Sequence, residues 1–297
     1  MPATPGQLAG SGFGARLMRA TGTRGPLCAG IDPHPELLRA WGLSEDASGL
    51  ERFALGAVEA LAPVVAVVKP QSAFFECHGA RGIAVLERVL AASRDAGALV
   101  LLDVKRGDIG STMAGYAAAY LSDGAPLSAD AITLSPYLGV GALEPAFELA
   151  SQSGRGVFVL ALTSNPDGAT VQAAVTGTGT TVAQSVVTEV AARNAGRDPL
   201  GDFGVVVGAT ALAGSLRLSE LNGPVLIPGI GEQGGHLADL AGIFGTAVPH
   251  IVAAISRELL RHGPRPESLR HAAHRRADEA ARMIHFGRAR SAGIPPG

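Results

Sequence analysis

The sequence predicts a closed (β/α)8 barrel, and two features of the chain carry this prediction. Eight short apolar runs recur along the 297 residues, and most precede Ala- and Leu-rich stretches with helical spacing. The runs are apolar throughout rather than alternating, which is typical of parallel strands covered on both faces. Reactive side chains also follow several runs, where barrel enzymes gather their chemistry. A doubly wound open sheet is the alternative architecture.

The predicted elements follow one another in a regular order. In chain order, the predicted strands are Leu27–Ile31, Val64–Val68, Ala98–Leu102, Ala131–Leu134, Val157–Leu162, Phe203–Val207, Val225–Ile227 and Ile251–Ile255. A short helix over Gly12–Ala20 is predicted before the first strand, and a basic helix over Pro266–His285 after the last. The Gly- and Thr-rich stretch 167–181 is predicted to be a long loop. We expect one domain over 1–297, with its core at about 12–262 and a terminal helix and tail over 263–297.

The composition excludes several classes of protein. Hydrophobic residues make up 47% of the chain and charged residues 17%, which suits a large core and not global disorder. The net charge of −2 gives no general attraction to nucleic acid or to an anionic membrane. No signal-peptide pattern opens the chain and no apolar stretch approaches ~18 residues. We therefore expect a cytoplasmic protein with neither a nucleic-acid nor a membrane partner.

The chain has two cysteines, Cys28 and Cys77. They are too few for a disulfide framework or a cysteine-based zinc site. Both are predicted to be small buried apolar residues.

Lysine is rare in this chain, because Lys69 and Lys105 are the only lysines among 24 basic residues. Each closes an apolar run. A compact ammonium on a flexible stem differs from a planar, permanently charged guanidinium, so both positions are functional candidates. There are two alternatives without a functional role. The two lysines remain by chance in an arginine-rich composition, or they form structural ion pairs.

The third predicted strand carries the densest group of charges. Asp103 and Lys105 are two residues apart, which places both on one strand face, directed into the barrel mouth. Asp108 lies in the turn before a helix that starts near Ser111 or Thr112. A purely structural role is the alternative for each residue. Asp103 and Lys105 would then form an ion pair, and Asp108 would accept a hydrogen bond at the start of the helix. A lysine between two carboxylates stays protonated and can serve as a cation and proton donor.

This Asp-x-Lys-x-x-Asp pattern of Asp103, Lys105 and Asp108 resembles the signature of the orotidine 5′-phosphate decarboxylases. The wider stretch 103–112 is similar to the longer bacterial branch of that family. Five further stretches match in the family's order: 30–35, 68–76, 162–166, 228–235 and 256–257. The resemblance spans about Gly12 to Leu260.

The resemblance implies decarboxylation of orotidine 5′-monophosphate to uridine 5′-monophosphate, with no metal and no organic cofactor. It implies that Lys105 stabilises the negative charge on the ring carbon and then gives that carbon a proton. Asp103 is expected against the departing carboxylate. Lys69 and Asp108 are expected to complete the charged network that fixes Lys105.

The resemblance also implies how the rest of the substrate is bound. Asp32 and Lys69 are expected near the ribose hydroxyls and Ser164 near the pyrimidine amide. Relatives supply the residues that match Asp108 and Thr112 from a neighbouring subunit. We therefore expect a homodimer with two shared sites.

The seventh strand is followed by a glycine-rich stretch, Pro228 to Gly235. Its G-x-G-x-x-G spacing fits a dinucleotide fingerprint, but the acid required about 20 residues later is replaced by the apolar run Ile251–Ile255. Barrels often bind phosphate in the loops after strands seven and eight. We therefore expect a phosphate site, with Arg257 as a charged ligand and Gln233 as a neutral one on a closing loop.

Two other functions remain open at the level of sequence. The keto-gulonate phosphate decarboxylases and hexulose phosphate synthases also carry Asp-x-Lys-x-x-Asp, but they bind Mg²⁺ through a Glu near the end of strand two. Lys69 stands there in this chain, and a second cation disfavours a metal. A catalytically silent phosphate-binding barrel is the other alternative, and the intact charged network argues against it.

Overall fold

The strands form a closed barrel of eight parallel strands, each paired with the next, with the last paired to the first. The structure is a computed structural model that describes residues 12–210, 216–231, 234–237 and 250–291. The strands are β1 (Leu27–Ile31), β2 (Val67–Pro70), β3 (Leu99–Arg106), β4 (Ala131–Leu134), β5 (Gly156–Leu162), β6 (Phe203–Val207), β7 (Pro224–Ile227) and β8 (His250–Ile255). The (β/α)8 prediction is confirmed, and the doubly wound sheet is wrong.

Helices pack around the barrel, and in the described ranges they follow each of the strands β1 to β5 and β8. Those of the described residues are α1 (Phe13–Arg24), α2 (Pro35–Ala40), α3 (Ala47–Leu61), α4 (Ala73–Glu76), α5 (Gly79–Asp95), α6 (Gly110–Leu121), α7 (Glu144–Ser153), α8 (Ala169–Gln172), α9 (Val182–Arg193), α10 (Arg257–Leu260) and α11 (Pro266–Ser291). Side-chain caps start some of them. Asp46 accepts hydrogen bonds from the backbone N–H groups of Ser48 and Gly49 at α3, and Thr181 accepts one from Gln184 at α9. None of the helices in the described ranges is long and apolar enough to cross a membrane.

Helix α1 closes the amino-terminal end of the barrel. Phe13 and Leu17 pack with the inward-facing residues of the strands, and the ring of Phe13 meets that of Phe158 edge-on at 5.9 Å. Asp202 accepts a hydrogen bond of 2.8 Å from the backbone N–H of Gly14. A Cβ at Gly14 would lie 2.4 Å from the carbonyl oxygen of Leu200, so only glycine permits this close approach. Because α1 blocks the amino-terminal end of the barrel, a ligand has to enter the interior from the carboxyl end.

Inward-facing positions change from apolar to polar along each of three adjacent strands. Val67, Leu101 and Ala131 belong to the apolar cluster inside the barrel. Side chains two residues apart on a strand point to the same face. The residues two positions after these three therefore also face inward, and they line the cavity at the carboxyl end: Lys69, Asp103 and Thr133. The fold thus brings three polar side chains from separate strands to one level of the barrel.

Several predicted boundaries shift. Strand β2 starts at Val67 rather than Val64, and β3 continues to Arg106, where pairing with β4 resumes after a register shift. Both terminal helices are longer than predicted. The last one continues to Ser291, the first residue of the predicted tail Ser291–Gly297, and residues 292–297 lie outside the described residues. The stretch 167–181 contains helix α8 and a bridge that pairs Val175 with Thr181. It is therefore not a structureless loop.

The prediction that both cysteines are buried is correct for Cys28 and wrong for Cys77. Cys28 lies in β1, where burial raises the pKa of its thiol to about 12. Cys77 follows the short helix α4 at a surface turn, so its thiol is exposed.

We predict that the two thiols differ sharply in reactivity, because a thiolate is the reactive form and Cys28 is both buried and protonated. Ellman's reagent at pH 8 should modify one thiol per native chain and two in guanidinium chloride. The variant Cys77→Ser should give no fast reaction in the native state. Rapid modification of Cys28 in that variant would contradict the buried position.

Candidate active site

A cavity of about 670 Å³ opens at the carboxyl ends of the barrel strands. It gathers residues from all eight strands, including Val206 of β6, and from several of the turns that follow them. Seven of the ten predicted site residues line it: Asp32, Lys69, Asp103, Lys105, Ser164, Pro228 and Arg257. The carboxyl-end location is the one that the fold class uses for catalysis.

The carboxylate of Asp103 is the centre of the polar network. Its Oδ1 accepts hydrogen bonds from Lys105 Nζ at 2.6 Å and from the Thr133 hydroxyl at 2.8 Å. Its Oδ2 accepts from Lys69 Nζ at 3.0 Å and from Gln71 Nε2 at 3.3 Å. Each oxygen therefore has one ammonium donor and one neutral donor, which fixes the orientation of the carboxylate plane.

The charges of the network are mutually stabilising. Burial alone would raise the pKa of Asp103, but the charges of Lys69 and Lys105 and the hydrogen bonds from Lys105 and Thr133 hold that pKa well below its usual range. Burial alone would lower the pKa of Lys69, but the negative charges of Asp103 and Asp32 raise it above its usual value. The site therefore holds an ionised carboxylate beside a protonated lysine.

The two lysines differ in access to the cavity. The Lys69 side chain is 7% exposed and lies in the wall of the barrel, whereas that of Lys105 is 44% exposed at the cavity. Lys105 also has a φ of 45°, a left-handed conformation that is uncommon for a residue with a side chain. The simple strand alternation predicted for Asp103 and Lys105 is therefore interrupted at Lys105, although both side chains still reach the cavity.

The turn after β1 supplies a buried acceptor to the cavity wall. In the described part of the chain, Asp32 Oδ1 is buried and has no hydrogen-bond partner. Nearby, a Cβ at Gly30 would lie 2.5 Å from the Cβ of Ser256, so glycine at 30 makes room for the serine that follows β8. Buried polar atoms are nearly always hydrogen-bonded in proteins, so Asp32 is a candidate acceptor for a ligand hydroxyl.

The glycine-rich turn after β7 approaches the start of α10. Gly229 and Gly231 have φ values of 92° and 85°, which glycine adopts without strain. Gly229, Pro228 and Arg257 line the cavity together, and Arg257 is the first residue of α10. The predicted ligand Gln233 lies outside the described residues.

Asp108 and Thr112 do not join the cavity of their own chain. Asp108 accepts a hydrogen bond of 2.8 Å from the N–H of Ile109, and Thr112 is exposed on α6. Exposed apolar side chains lie on the turns after β3 and β4: Ile109 at 61%, Tyr137 at 80% and Leu138 at 53%.

Sequence reasoning missed two polar residues of the network, Thr133 and Gln71. Thr133 is the only hydroxyl residue within the strand Ala131–Leu134, and its inward face follows from the alternation along β4. Gln71 follows β2 directly and pairs with Asp103 in an isolated bridge. Within the described ranges, no group of three His, Cys, Asp or Glu residues could hold a metal ion.

A closed barrel with two lysines, a buried carboxylate and a glycine-rich turn at its carboxyl end is the arrangement of a (β/α)8-barrel enzyme. A sequence model of the orotidine 5′-phosphate decarboxylase / HUMPS family matches residues 25–271. The chain belongs to this family, and it is therefore an enzyme.

Relatives and solved structures agree with this assignment. The orotidine 5′-phosphate decarboxylase of Salinispora tropica is 60% identical over 263 residues, which are 89% of this chain and 95% of that protein. That of Streptomyces coelicolor is 58% identical, over 90% of this chain and 96% of that protein. A crystal structure of a Streptomyces avermitilis protein assigned to the same enzyme superposes with a TM-score of 0.89 at 58% identity, covering 93% of this chain and 96% of that one.

We predict that the two lysines contribute very differently to stability. Lys69→Ala removes the buried ionic partner of Asp103 and should lower the free energy of unfolding by about 3–5 kcal/mol. Lys105→Ala removes a half-exposed partner and should cost about 1 kcal/mol or less. Urea unfolding of both variants measures the difference. Equal losses would contradict the contrast in burial.

Proposed function

We propose that this chain decarboxylates orotidine 5′-monophosphate to uridine 5′-monophosphate, with Lys105 as the catalytic cation and proton donor. Family membership implies this reaction, which forms uridine 5′-monophosphate in pyrimidine biosynthesis. The observation that carries the proposal is the Asp103 carboxylate held between Lys69 and Lys105 at the cavity.

Lys105 has the position and charge that the chemistry requires. Loss of carbon dioxide leaves an electron pair on an sp² ring carbon with no conventional sink, so a preorganised cation beside that carbon must stabilise it. The Lys105 ammonium reaches the cavity and is anchored 2.6 Å from Asp103 Oδ1. It stabilises the carbanion and then transfers one proton to the same carbon.

Asp103 contributes a fixed negative charge. Four donors hold its carboxylate, and its lowered pKa keeps it ionised. Placed against the substrate carboxylate, it raises the energy of the bound substrate relative to the transition state, in which that negative charge moves away. Lys69 balances the buried charge of Asp103 from the opposite side and thereby leaves Lys105 for the substrate.

The remaining cavity residues fit the other parts of a nucleotide monophosphate. Asp32, with its buried free oxygen, and Lys69 bind the ribose hydroxyls, and Ser164 binds the pyrimidine amide. Pro228 lies at the start of the glycine-rich turn, and Arg257 binds the phosphate with Gln233 as a neutral partner.

We propose that the active form is a homodimer in which Asp108 and Thr112 complete the partner's site. Neither residue reaches the cavity of its own chain. Exposed apolar side chains lie nearby: Ile109 follows Asp108 directly, and Tyr137 and Leu138 lie on the turn after β4. Such exposed apolar side chains are expected of a surface that another subunit covers. In this proposal the single barrel domain needs no metal and no organic cofactor, and it acts in the cytoplasm.

We predict that the purified protein consumes orotidine 5′-monophosphate, measured by loss of its absorbance, equally well with and without EDTA. Lys105→Ala should lower kcat by about 10²–10³-fold or more, because it removes a preorganised charge. Lys105→Arg should also fail to restore turnover, because a planar guanidinium cannot replace a compact ammonium that donates a proton. Arg88→Ala, which removes an exposed ion pair with Glu51, is the control and should retain full activity.

Three results would overturn the proposal. They are absence of wild-type turnover, an unimpaired Lys105→Ala variant, and a strict requirement for Mg²⁺. The last result would favour the sugar-phosphate branch of the family.

We predict that two inactive variants complement each other if the site is shared. A dimer of one Lys105→Ala chain and one Asp108→Ala chain holds one intact site and one site with both defects. Doubly tagged heterodimers should therefore show about half the wild-type turnover per dimer, while each homodimer stays inactive. An inactive heterodimer would show that each chain uses its own Asp108.

A further inference from the structure

Thr133 joins the two charged groups to which the proposed mechanism assigns the chemistry. Its side chain lies on β4 and the residue is 1% exposed. The hydroxyl donates a hydrogen bond to Asp103 Oδ1 at 2.8 Å and accepts one from the backbone N–H of Lys105 at 3.0 Å. We propose that Thr133 is a positioning residue that orients the Asp103 carboxylate and holds the backbone of Lys105. This inference rests on the proposed function.

The strand pairing explains why a side chain takes the Lys105 N–H. Leu102 of β3 pairs with Ile132 of β4, and the next pair joins Arg106 to Leu134. Three residues of β3 therefore stand opposite Thr133 alone, which makes a bulge. A bulge removes backbone partners from the ladder, and the Lys105 N–H is partly buried, where the lack of a partner would be costly. The Thr133 hydroxyl supplies the missing acceptor.

The bulge is also where Lys105 adopts its left-handed conformation, with a φ of 45°. Such conformations persist only where the surroundings hold them, and they cluster at active sites. Two interactions hold Lys105 here: the N–H bond to Thr133 and the Nζ bond to Asp103 Oδ1. By holding the Lys105 backbone, Thr133 therefore influences the direction in which the Lys105 side chain projects from β3.

The hydroxyl has one proton, so its two hydrogen bonds have a defined sense. Because Oγ1 accepts from the Lys105 N–H, its own proton is available for Asp103, and an ionised carboxylate can only accept. Thr133 and the Lys105 ammonium thus converge on the same oxygen, Oδ1. The other neutral donor, Gln71, reaches Oδ2 at the longer distance of 3.3 Å. Thr133 is the shorter neutral contact and the one that also holds Lys105.

The test compares Thr133→Val with Thr133→Ser. Valine keeps the shape of threonine and removes the hydroxyl, whereas serine keeps the hydroxyl and removes the methyl group. We expect Thr133→Val to lower kcat by about 10²-fold, because a small misplacement of the reacting groups has an effect of that size. Thr133→Ser should stay within about tenfold of the wild type. The Kd of uridine 5′-monophosphate, measured by calorimetry, should be similar in all three proteins, because Thr133 acts on the reacting groups and not on the phosphate or ribose.

A matched control separates positioning from a general effect on packing. Thr21→Val also removes a buried hydroxyl, which donates to the carbonyl of Leu17 in α1, at the opposite end of the barrel. It should leave kcat unchanged. If Thr133→Val does not fold, Thr133→Ala replaces it, because alanine and serine differ only by the hydroxyl. The expected result is then a kcat about 10²-fold lower for alanine than for serine.

Two outcomes would overturn the inference while leaving the proposed function intact. One is wild-type turnover in Thr133→Val. The other is an equal loss in Thr133→Val and Thr133→Ser, which would assign the effect to packing around residue 133 rather than to the hydroxyl. In the first case, a weaker Kd of the nucleotide beside the unchanged kcat would assign Thr133 to substrate binding instead. Failure of the proposed function itself is recognised separately, by absence of turnover in the wild-type protein.

Discussion

The carboxylate of Asp103 is the constraint on which the site depends, because a buried charge is stable only with charged and hydrogen-bonding partners around it. Its partners come from three adjacent strands: Lys69 and Gln71 at the end of β2, Lys105 on β3 itself, and Thr133 on β4. Parallel pairing of these neighbouring strands brings their carboxyl ends to one level. The barrel therefore provides the charge compensation as well as the cavity.

The proposed difference in role between the two lysines follows from their depth in the barrel. Lys69 is buried in the wall and balances the charge of Asp103, whereas Lys105 stands at the cavity where a substrate can reach it. An arginine at either position would present a wide planar group that matches a carboxylate edge rather than a single point of charge. This difference gives a physical reason for lysine at these two positions in a chain that otherwise uses arginine.

The two ends of the barrel serve different purposes. At the amino-terminal end, α1 seals the interior with Phe13 and Leu17. At the carboxyl end, glycines allow close approach: Gly30 admits Ser256 against its backbone, and Gly229 adopts a positive φ beside the cavity. The stabilising contacts and the reactive groups are thus separated along the barrel axis, which is the arrangement that this fold class uses.

The sequence by itself determined the fold class, the eight strands and seven of the cavity residues, because uniform apolar runs and strand-end charges depend only on local pattern. It also singled out Lys69 and Lys105 as the only two lysines, and Asp103 by its spacing of two residues from Lys105. Only the tertiary structure decided the exposure of Cys77, the bulge at Lys105 and the part played by Thr133. The exposure of Cys77 follows from its place at the end of the short helix α4, and the other two features depend on which strand lies alongside which, and in what register. Pairing between residues distant in sequence is a long-range property that local spacing does not encode.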